Sequence, residues 1–562
     1  MKKVLIRVNQ IKLPVSHTPR DLDNAVARLL HSAEPPEYRI VKQSVDARDK
    51  SNLMYIYSIE LLLSSDLKKN PHMFKSKNII ISEDKIYHFT EMTKQFRDQG
   101  SGLMVSTLSE EERPVIVGTG PAGLFCGYML AKASYRPLLI ERGGSVETRV
   151  KKIENYFTSG ELDENTNVQF GEGGAGTFSD GKLNTSTHDK YGRIQEMLRI
   201  FAQYGADPKI LYLNKPHIGT DQLREVVRNI RQAIIELGGE VIFDTCLTDI
   251  QYRSVPEQGN GDKNLELCGI TVSQNGINRQ LACKCLILAI GHSARDTFYM
   301  LDRKQIHMQA KPFAIGLRIE HPAEMINRSQ YGISKEASLL GAADYKLTYQ
   351  TKSGRSVYSF CMCPGGHIID ASSEKGHIAV NGMSYHARDA RNSNSAIVVN
   401  ITPEDCYMKT GLNTSLAGVE YQRIWEQLAY QCGNGSVPLQ LLSDFREDRR
   451  SEGLGSVEPD LKGSYQLANL RECLPKYVSS AIIEGIMRFD QTVAGVGRED
   501  AILCGVESRT SSPVRILRGD DMQANIKGIF PCGEGAGYAG GITSAAVDGI
   551  KAAEAVAAQY KL

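Results

Sequence analysis

The chain has 562 residues, with 66 Lys plus Arg against 65 Asp plus Glu, 41% hydrophobic residues and 12 cysteines. That length accommodates about three or four domain-sized pieces with real apolar cores, and the balanced charge leaves no overall field to recruit nucleic acid or anionic membrane. The cysteines make no Cys-x-x-Cys motif and no disulfide framework, which fits reduced thiols in a cytoplasmic protein, and no apolar run is long enough to span a bilayer.

The opening Met1-Lys2-Lys3-Val4-Leu5-Ile6 imitates the start of an export signal, but Arg7 and Asn9 interrupt it, so no export segment is expected. Residues 1 to about 100 read as a small separate α/β module. Val4 to Val8 is strand-like, and Leu22, Ala25, Val26, Leu29 and Leu30 form one apolar stripe on a helix from Asp21 to His31. Tyr38 to Val45 and Leu53 to Leu63, separated by the polar turn 46–52, predict an antiparallel hairpin packed on that helix. Lys42, Arg48 and Lys50 near the turn could touch RNA or an acidic partner, although a solvated charged loop is the plainer reading. The polar stretch from Arg97 to Glu112 reads as the link to the next domain.

The strongest signal runs from Arg113 to Arg142 as RPVIVGTGPAGLFCGYMLAKASYRPLLIER. A β-branched run, Val115 to Val117, enters a turn carrying Gly118, Gly120 and Gly123, and Pro121 and Ala122 open the helix that follows. This is the Gly-x-Gly-x-x-Gly spacing of a dinucleotide-binding unit: a sharp turn, room for a pyrophosphate at a helix N-terminus, and close helix–strand contact. Gly127, one helical turn on, extends the contact. A second strand, Pro137 to Ile140, delivers Glu141 about 20 residues past the turn, where a carboxylate can accept hydrogen bonds from a ribose diol. Arg142 leaves a 2′-phosphate partner open beside the simpler solvated charge.

Four glycines between 171 and 176 then make Gly171-Glu-Gly-Gly-Ala-Gly-Thr177 too glycine-rich for a regular element. Gly173, Gly174, Ala175, Gly176 and Gly181 can present backbone N–H groups to phosphate or a flavin edge, with Thr177, Ser179 and Lys182 adding donors. A helix from Asp221 to Leu237, capped near Thr220, leads to a strand at Glu240 to Asp244. Strand pieces at Leu267 to Ser273 and Cys285 to Ile290 resume a parallel-sheet pattern. Gly291, His292, Ser293 and Arg295 then fall at the carboxyl edge where ligands lie in doubly wound sheets. His292 is a candidate acid or base as well as a structural donor.

Residues 301 to 499 carry no glycine fingerprint and are expected to be an inserted substrate or cap domain. Within it, Cys361-Met-Cys363, His367 and His386 lack zinc spacing, and a Cys-x-Cys disulfide would close a strained loop, so no metal and no disulfide are expected. At the end of the chain, a strand at Ile529 leads to Gly533-Glu534, which places a carboxylate beside the ribityl or pyrophosphate part of FAD. A final helix starts near Gly541, Ile542 and Thr543, its N-terminus aimed at the flavin edge. Ala545, Ala546, Gly549, Ala552 and Ala553 allow that helix to pack tightly.

The stretches GEGGAGTFSDGKLNT, AIGHSARDTF, KPFAIGLRIEHP, SFCMCPGGHI, ESRTSSPVRI and CGEGAGYAGGITSAAVDG make the chain resemble, over nearly its full length, the FAD-dependent, or NAD(FAD)-utilizing, dehydrogenases with an N-terminal α/β module. More distantly, its FAD domain is similar to those of glutathione reductase and fumarate reductase flavoproteins. The resemblance implies an α/β fold with a Rossmann-like FAD-binding domain at 113–300 and 500–562, the inserted domain at 301–499 and the module at 1–100. It puts Gly118, Gly120, Gly123 and Glu141 on the ADP half of FAD, and Glu534 with the turn from Gly537 to Thr543 on the flavin half. One departure is Gly533-Glu534 where the wider class has Gly-Asp.

The expected function is hydride exchange between a small-molecule substrate and flavin N5, with His292, Arg295, Arg509 and Arg515 as candidates for gripping an anionic substrate. No glycine motif beyond the segments assigned to FAD is left for a resident nicotinamide domain, so NADH or NADPH would bind only transiently. The alternatives are an RNA-modifying flavoprotein that docks RNA on its N-terminal module, and a flavin-binding protein without turnover. Neither a membrane nor, on charge balance, a nucleic acid is the expected partner.

Overall fold

Three all-apolar strands, Val115–Val117, Leu138–Ile140 and Leu286–Leu288, are buried on both faces and pair in parallel, as continuous apolar runs do in sheets covered on both sides. The computed structural model describes residues 3–30, 32–64, 77–83, 86–99, 106–107, 113–256 and 263–561. Most of the expected link between 97 and 112, and His31 at the end of the first predicted helix, lie outside them.

The parallel sheet has five strands in the order Ile529–Pro531, Leu286–Leu288, Val115–Val117, Leu138–Ile140, Glu240–Ile242. Alternation along each strand decides what covers it. Ile116, Leu139 and Ile287 face the helices Pro121–Lys132, Thr220–Glu236 and Ile542–Gln559. Val115, Val117, Leu138, Ile140, Leu286 and Leu288 face an antiparallel layer of Ile277–Ala282, Lys263–Gln274 and Thr245–Pro256. The stretch 267–273, expected in the parallel sheet, belongs to this second layer, because it pairs antiparallel on both sides. The small-residue face of the last helix meets the glycine-turn helix: a Cβ at Gly549 would lie 2.1 Å from the Ala122 carbonyl oxygen.

The region after 301 is built on a seven-stranded sheet in the order Thr348–Gln350, Ser356–Cys363, Asn392–Ile401, Phe313–Pro322, Ile502–Glu507, Val437–Leu441, Tyr465–Leu467. Helices Ala417–Cys432 and Lys476–Phe489 share its core. Strand Ile502–Glu507 pairs with Phe313–Pro322 and Val437–Leu441, so a division drawn at residue 500 cuts off one of this sheet's strands. The chain returns to the parallel sheet only after it.

In the N-terminal module, Tyr38–Asp46, Met54–Ser64, Lys3–Pro14 and Ile79–Ile81 form an antiparallel sheet in that order. Helix Pro19–Leu30 buries Leu22, Val26 and Leu30 against Ile6, Val8, Ile59 and Leu61. Two of the three basic residues beside the turn are engaged: Arg48 pairs with Asp46 at 2.6 Å, and Lys50 donates to the Ser329 carbonyl at 2.6 Å. Gln43 exchanges backbone hydrogen bonds of 2.8 Å with Tyr212 and Asn214, which ties the module's edge to the main body. Helix Phe89–Gln99, which the bound at about residue 100 would give to the module, packs instead on the final helix, where the Tyr87 hydroxyl donates to Glu554 at 2.8 Å.

Candidate functional site

Strand Val115–Val117 ends in a turn that only glycine can make. Gly118 has φ 100°, and a Cβ there would lie 2.3 Å from the Ala289 carbonyl oxygen. A Cβ at Gly123 would lie 1.8 Å from the Gly118 carbonyl oxygen. Helix Pro121–Lys132 starts with proline in its first turn, where the missing N–H costs nothing. Gly118, Gly120, Pro121 and Ala122 line a cavity of about 310 Å³, a size found for small-molecule sites. Gly123 lies behind it as packing.

Glu141 and Arg142 line the same cavity. The Glu141 carboxylate accepts from Thr119 N (2.9 Å), Thr119 Oγ1 (2.8 Å), Gly143 N (3.0 Å) and Gly171 N (3.0 Å), which joins the two glycine-rich segments. Arg142 is not a solvated charge. Its guanidinium lies 4.4 Å from the Phe170 ring centre and pairs with Asp296 at 2.5 Å, where the cavity wall is also made by Thr245, Cys246 and Leu247.

The second glycine segment is held by a residue the sequence reading missed. Fully buried Arg149, on helix Val146–Ser159, donates to the carbonyls of Asn167 (2.9 Å), Val168 (2.8 Å), Glu172 (2.7 Å) and Gly174 (2.8 Å), with its charge over the Phe178 ring at 4.7 Å. Burial pushes this guanidinium down to about 9. Burial likewise pushes the Glu172 carboxyl up to about 7, against the pull of Arg231 at 3.1 Å and the Val146 N–H at 2.7 Å. The result is a fixed loop whose Gly174, Ala175, Gly176, Gly181 and Lys182 line the cavity. Gly173 and Thr177 do not line it; Gly173 makes room for the Thr177 hydroxyl, which a Cβ would meet at 1.9 Å. Thr220, expected as a helix cap, instead donates to the Thr177 carbonyl at 2.6 Å and secures the loop from behind.

At the end of strand Leu286–Leu288, Gly291 and His292 line the cavity, and His292 Nδ1 lies 3.2 Å from Glu534. His292 Nε2 is buried with no hydrogen-bond partner among the described residues. The other three expected substrate-gripping residues fare differently. Arg295 is only 2% exposed and is consumed by Glu426 (2.8 Å), Glu374 (2.6 Å) and Gln422 (3.1 Å), so it is a correction to that expectation: it is a structural cation. Arg509 lines the cavity, but its guanidinium is held by Glu426 at 2.9 Å and Ser293 at 3.2 Å. Burial would push the Glu426 carboxyl up, yet Arg295 and Arg509 outweigh it and hold it far below the carboxylate range. Arg515 lies over the Tyr538 ring at 5.3 Å and donates to the Gly537 carbonyl at 3.4 Å, outside the cavity wall.

Glu534, Gly541 and Ile542 complete the wall from the C-terminal segment. Gly533 sits behind it, its N–H held by Asp548 at 2.8 Å, and Thr543 donates to the Leu183 carbonyl at 2.8 Å to bring the second glycine segment against the helix start. Gly541, with φ 165°, is in extended backbone that any residue adopts, and a Cβ there would meet nothing within 4 Å. A Cβ at Gly540 would also meet nothing. Neither strain nor packing requires these glycines, so the space in front of them is what they keep clear. That space, the orphaned His292 nitrogen and the backbone-lined turns fit FAD.

The wall that no glycine motif announced comes from the seven-stranded sheet, with Phe360, Cys361 and Glu507, and from strand Val380–Met383 of a separate three-stranded sheet, with Asn381. Beneath it lies Arg318, with no exposed surface, bonded to Glu507 (2.9 Å), the Cys361 carbonyl (3.1 Å), Asn381 (3.4 Å) and Asn394. The available signal was an arginine set among apolar residues in the first part of its strand, FAIGLRI. Among the described residues no metal-holding group of His, Cys, Asp or Glu is gathered. His367 Nδ1 pairs with Asp460 at 2.5 Å, and His386 Nδ1 with the Ile218 carbonyl at 2.8 Å.

A sequence profile described as FAD-dependent protein, C-terminal domain-like, matches residues 312–510. A domain of unknown function matches residues 5–62. A Clostridium beijerinckii protein, named only as uncharacterized, is 44% identical over 565 residues, covering 99% of each chain. Among solved structures, the E. coli quinol fumarate reductase FrdA is 11% identical, with 80% of this chain and 70% of that one covered at a TM-score of 0.34. A flavoprotein/dehydrogenase from Cytophaga hutchinsonii is 11% identical, with 80% and 78% covered at a TM-score of 0.33.

Proposed function

Since the chain belongs to the family of FAD-dependent proteins that carry this C-terminal domain, we propose that it is a cytoplasmic dehydrogenase exchanging a hydride between a small-molecule substrate and flavin N5. FAD, when bound, supplies the two-electron chemistry. The chain's residues bind, orient and exclude water. The glycine turn at Gly118 to Pro121 and the held loop at Gly174 to Lys182 offer backbone N–H groups to phosphates. The start of helix Ile542–Gln559 places its positive end where negative charge is favoured. His292 beside Glu534 can carry a proton at Nε2, the nitrogen left without a partner. Arg509, fixed by Glu426, presents a preoriented cation at the wall.

The observation that carries this reading is the single cavity bounded by both Gly118 and Gly541, residues far apart in the chain. The two further Gly-x-Gly-x-x-Gly spacings, at 171–176 and 535–540, border this same cavity rather than a second one, so a nicotinamide donor binds transiently rather than in a domain of its own. The test is anaerobic stopped-flow of the FAD-loaded protein with NADH, NADPH and a panel of small metabolites. Bleaching of the flavin by one donor supports the dehydrogenase; a protein that retains FAD yet is reduced by none of them refutes it in favour of a binding role.

A further inference from the structure

Resting on the FAD reading above, we propose that Cys361 and Cys363 form a dithiol–disulfide couple that exchanges two electrons with the flavin in the cavity. Regular strand geometry would place both side chains on one face, too far apart to join. Here the strand is not regular. The pairing of Ser356–Cys363 with Asn392–Ile401 shifts register between Phe360 and Cys363, and Cys361 has φ 41°, a left-handed conformation unusual for a residue with a side chain. This bulge departs from the regular strand on which a Cys-x-Cys link is disfavoured, and the two thiols lie close enough to act on each other.

The two sulfurs are not equivalent. Cys361 lines the cavity, whereas Cys363 has no exposed surface. The Cys363 thiol donates to the Cys361 carbonyl oxygen at 3.4 Å, and its closeness to the Cys361 sulfur, with the charges of Arg318 and Lys182, holds the Cys361 thiol below the usual thiol range despite burial. Cys363, as the donor and fully buried, is pushed well above the usual thiol range. Arg318 Nη1 lies 3.8 Å from the Cys363 sulfur and Nη2 bonds the Cys361 carbonyl, so one buried cation sits under both. An attacking thiolate on the cavity side and a protonated partner behind it are the arrangement that thiol–disulfide chemistry needs. Cys432 and Cys473 are a second pair of neighbouring thiols, donating to the carbonyls of Asn469 and Leu470 at 3.3 Å, but neither lines the cavity, so they serve as an internal control.

In the oxidising direction one Sγ–Sγ bond forms. The Cys361 thiolate and the Cys363 thiol together give up two electrons and one proton, and bound FAD takes two electrons and two protons, the second proton coming from solvent. The reverse step breaks the bond and returns the same electrons and protons.

The test is anaerobic dithionite titration of the FAD-loaded protein after mild oxidation with diamide. The couple requires four electrons per FAD in the native chain, falling to two in Cys361→Ser and in Cys363→Ser and staying at four in Cys432→Ser. Alkylation followed by mass spectrometry then finds residues 361 and 363 linked in the oxidised native protein and both alkylated after reduction. Two electrons per FAD in the native chain, with both thiols alkylated throughout, overturns the proposal while leaving the FAD reading intact. A native chain that takes up no FAD overturns both.

Discussion

The two walls of the cavity are built on different principles. The wall from the parallel sheet is mostly backbone: Gly118, Gly120, Gly174 and Gly541 are there for what they lack, and the side chains that fix them, Arg149 and Glu141, bond to main-chain groups. The wall from the region after 301 is side chain, with Cys361, Asn381 and Glu507 arranged around buried Arg318. A backbone wall suits a ligand recognised by phosphates and a flat ring. A wall of polarised side chains suits the half of the site where the chemistry is chosen.

This contrast breaks most severely at the glycine turn. Gly123→Val forces a side chain into the Gly118 carbonyl, at 1.8 Å from the first added carbon, with no flexible neighbour to yield. The expected result is a loss of about 3–5 kcal/mol of stability together with flavin binding, read by thermal unfolding and by the flavin-to-protein absorbance ratio. On the other wall, Arg318→Met leaves the Glu507 carboxylate buried without its cation. Removing one partner of a buried pair costs about 3–5 kcal/mol, and a urea unfolding midpoint measures it. The double variant Arg318→Met, Glu507→Leu recovers much of that loss, because the uncompensated charge goes too. Recovery would mark this wall as a device for the site rather than for the fold; no recovery would make Arg318 a structural residue in its own right.

The nucleotide wall was legible in the sequence because its rules are local. Glycine spacing, an acid at the end of the next strand and a small-residue helix each announce themselves within about 30 residues, and all of them meet at one cavity. The second wall depends on which strands pair. Arg318, Cys361, Asn381 and Glu507 lie on or beside strands from distant parts of the chain, and nothing local marks them as neighbours. The same limit explains Arg295: in a turn at a strand end a cation reads as free to grip a substrate, and only the long-range arrival of Glu374 and Glu426 shows it to be occupied. Element ends suffered likewise. The bounds drawn at about 100 and at 500 give Phe89–Gln99 to the first domain and Ile502–Glu507 to the last, but packing and pairing place each with the other body.

Gly541 sharpens the comparison, because it separates room for a ligand from needs of the fold. With φ 165° and open space at its Cβ position, Gly541→Ala is expected to leave the melting temperature unchanged or slightly raised. It should weaken FAD binding by about tenfold, or about 1.4 kcal/mol, in a titration of the flavin-stripped protein. A lowered melting temperature with unchanged affinity would mean the glycine serves packing after all.

The smallest expected effect concerns Glu172, the one side chain of the backbone wall whose charge is poorly supported. Its Oε1 is buried without a partner among the described residues, and burial raises its carboxyl from 4.5 to about 7. A raised carboxyl binds its proton more tightly in the folded chain than in the unfolded one. Its contribution is therefore complete below about pH 4.5 and is lost as pH rises to about 7. Glu172→Gln keeps the shape and the acceptor for the Val146 N–H while removing the titration. Denaturant unfolding from pH 4.5 to 8 should show a slope in the native chain that the variant flattens, leaving the variant more stable by about 1 kcal/mol above pH 7. Equal slopes in both would mean that Arg231, at 3.1 Å, keeps this carboxylate charged throughout, and that the backbone wall carries a working ion pair as the other wall does.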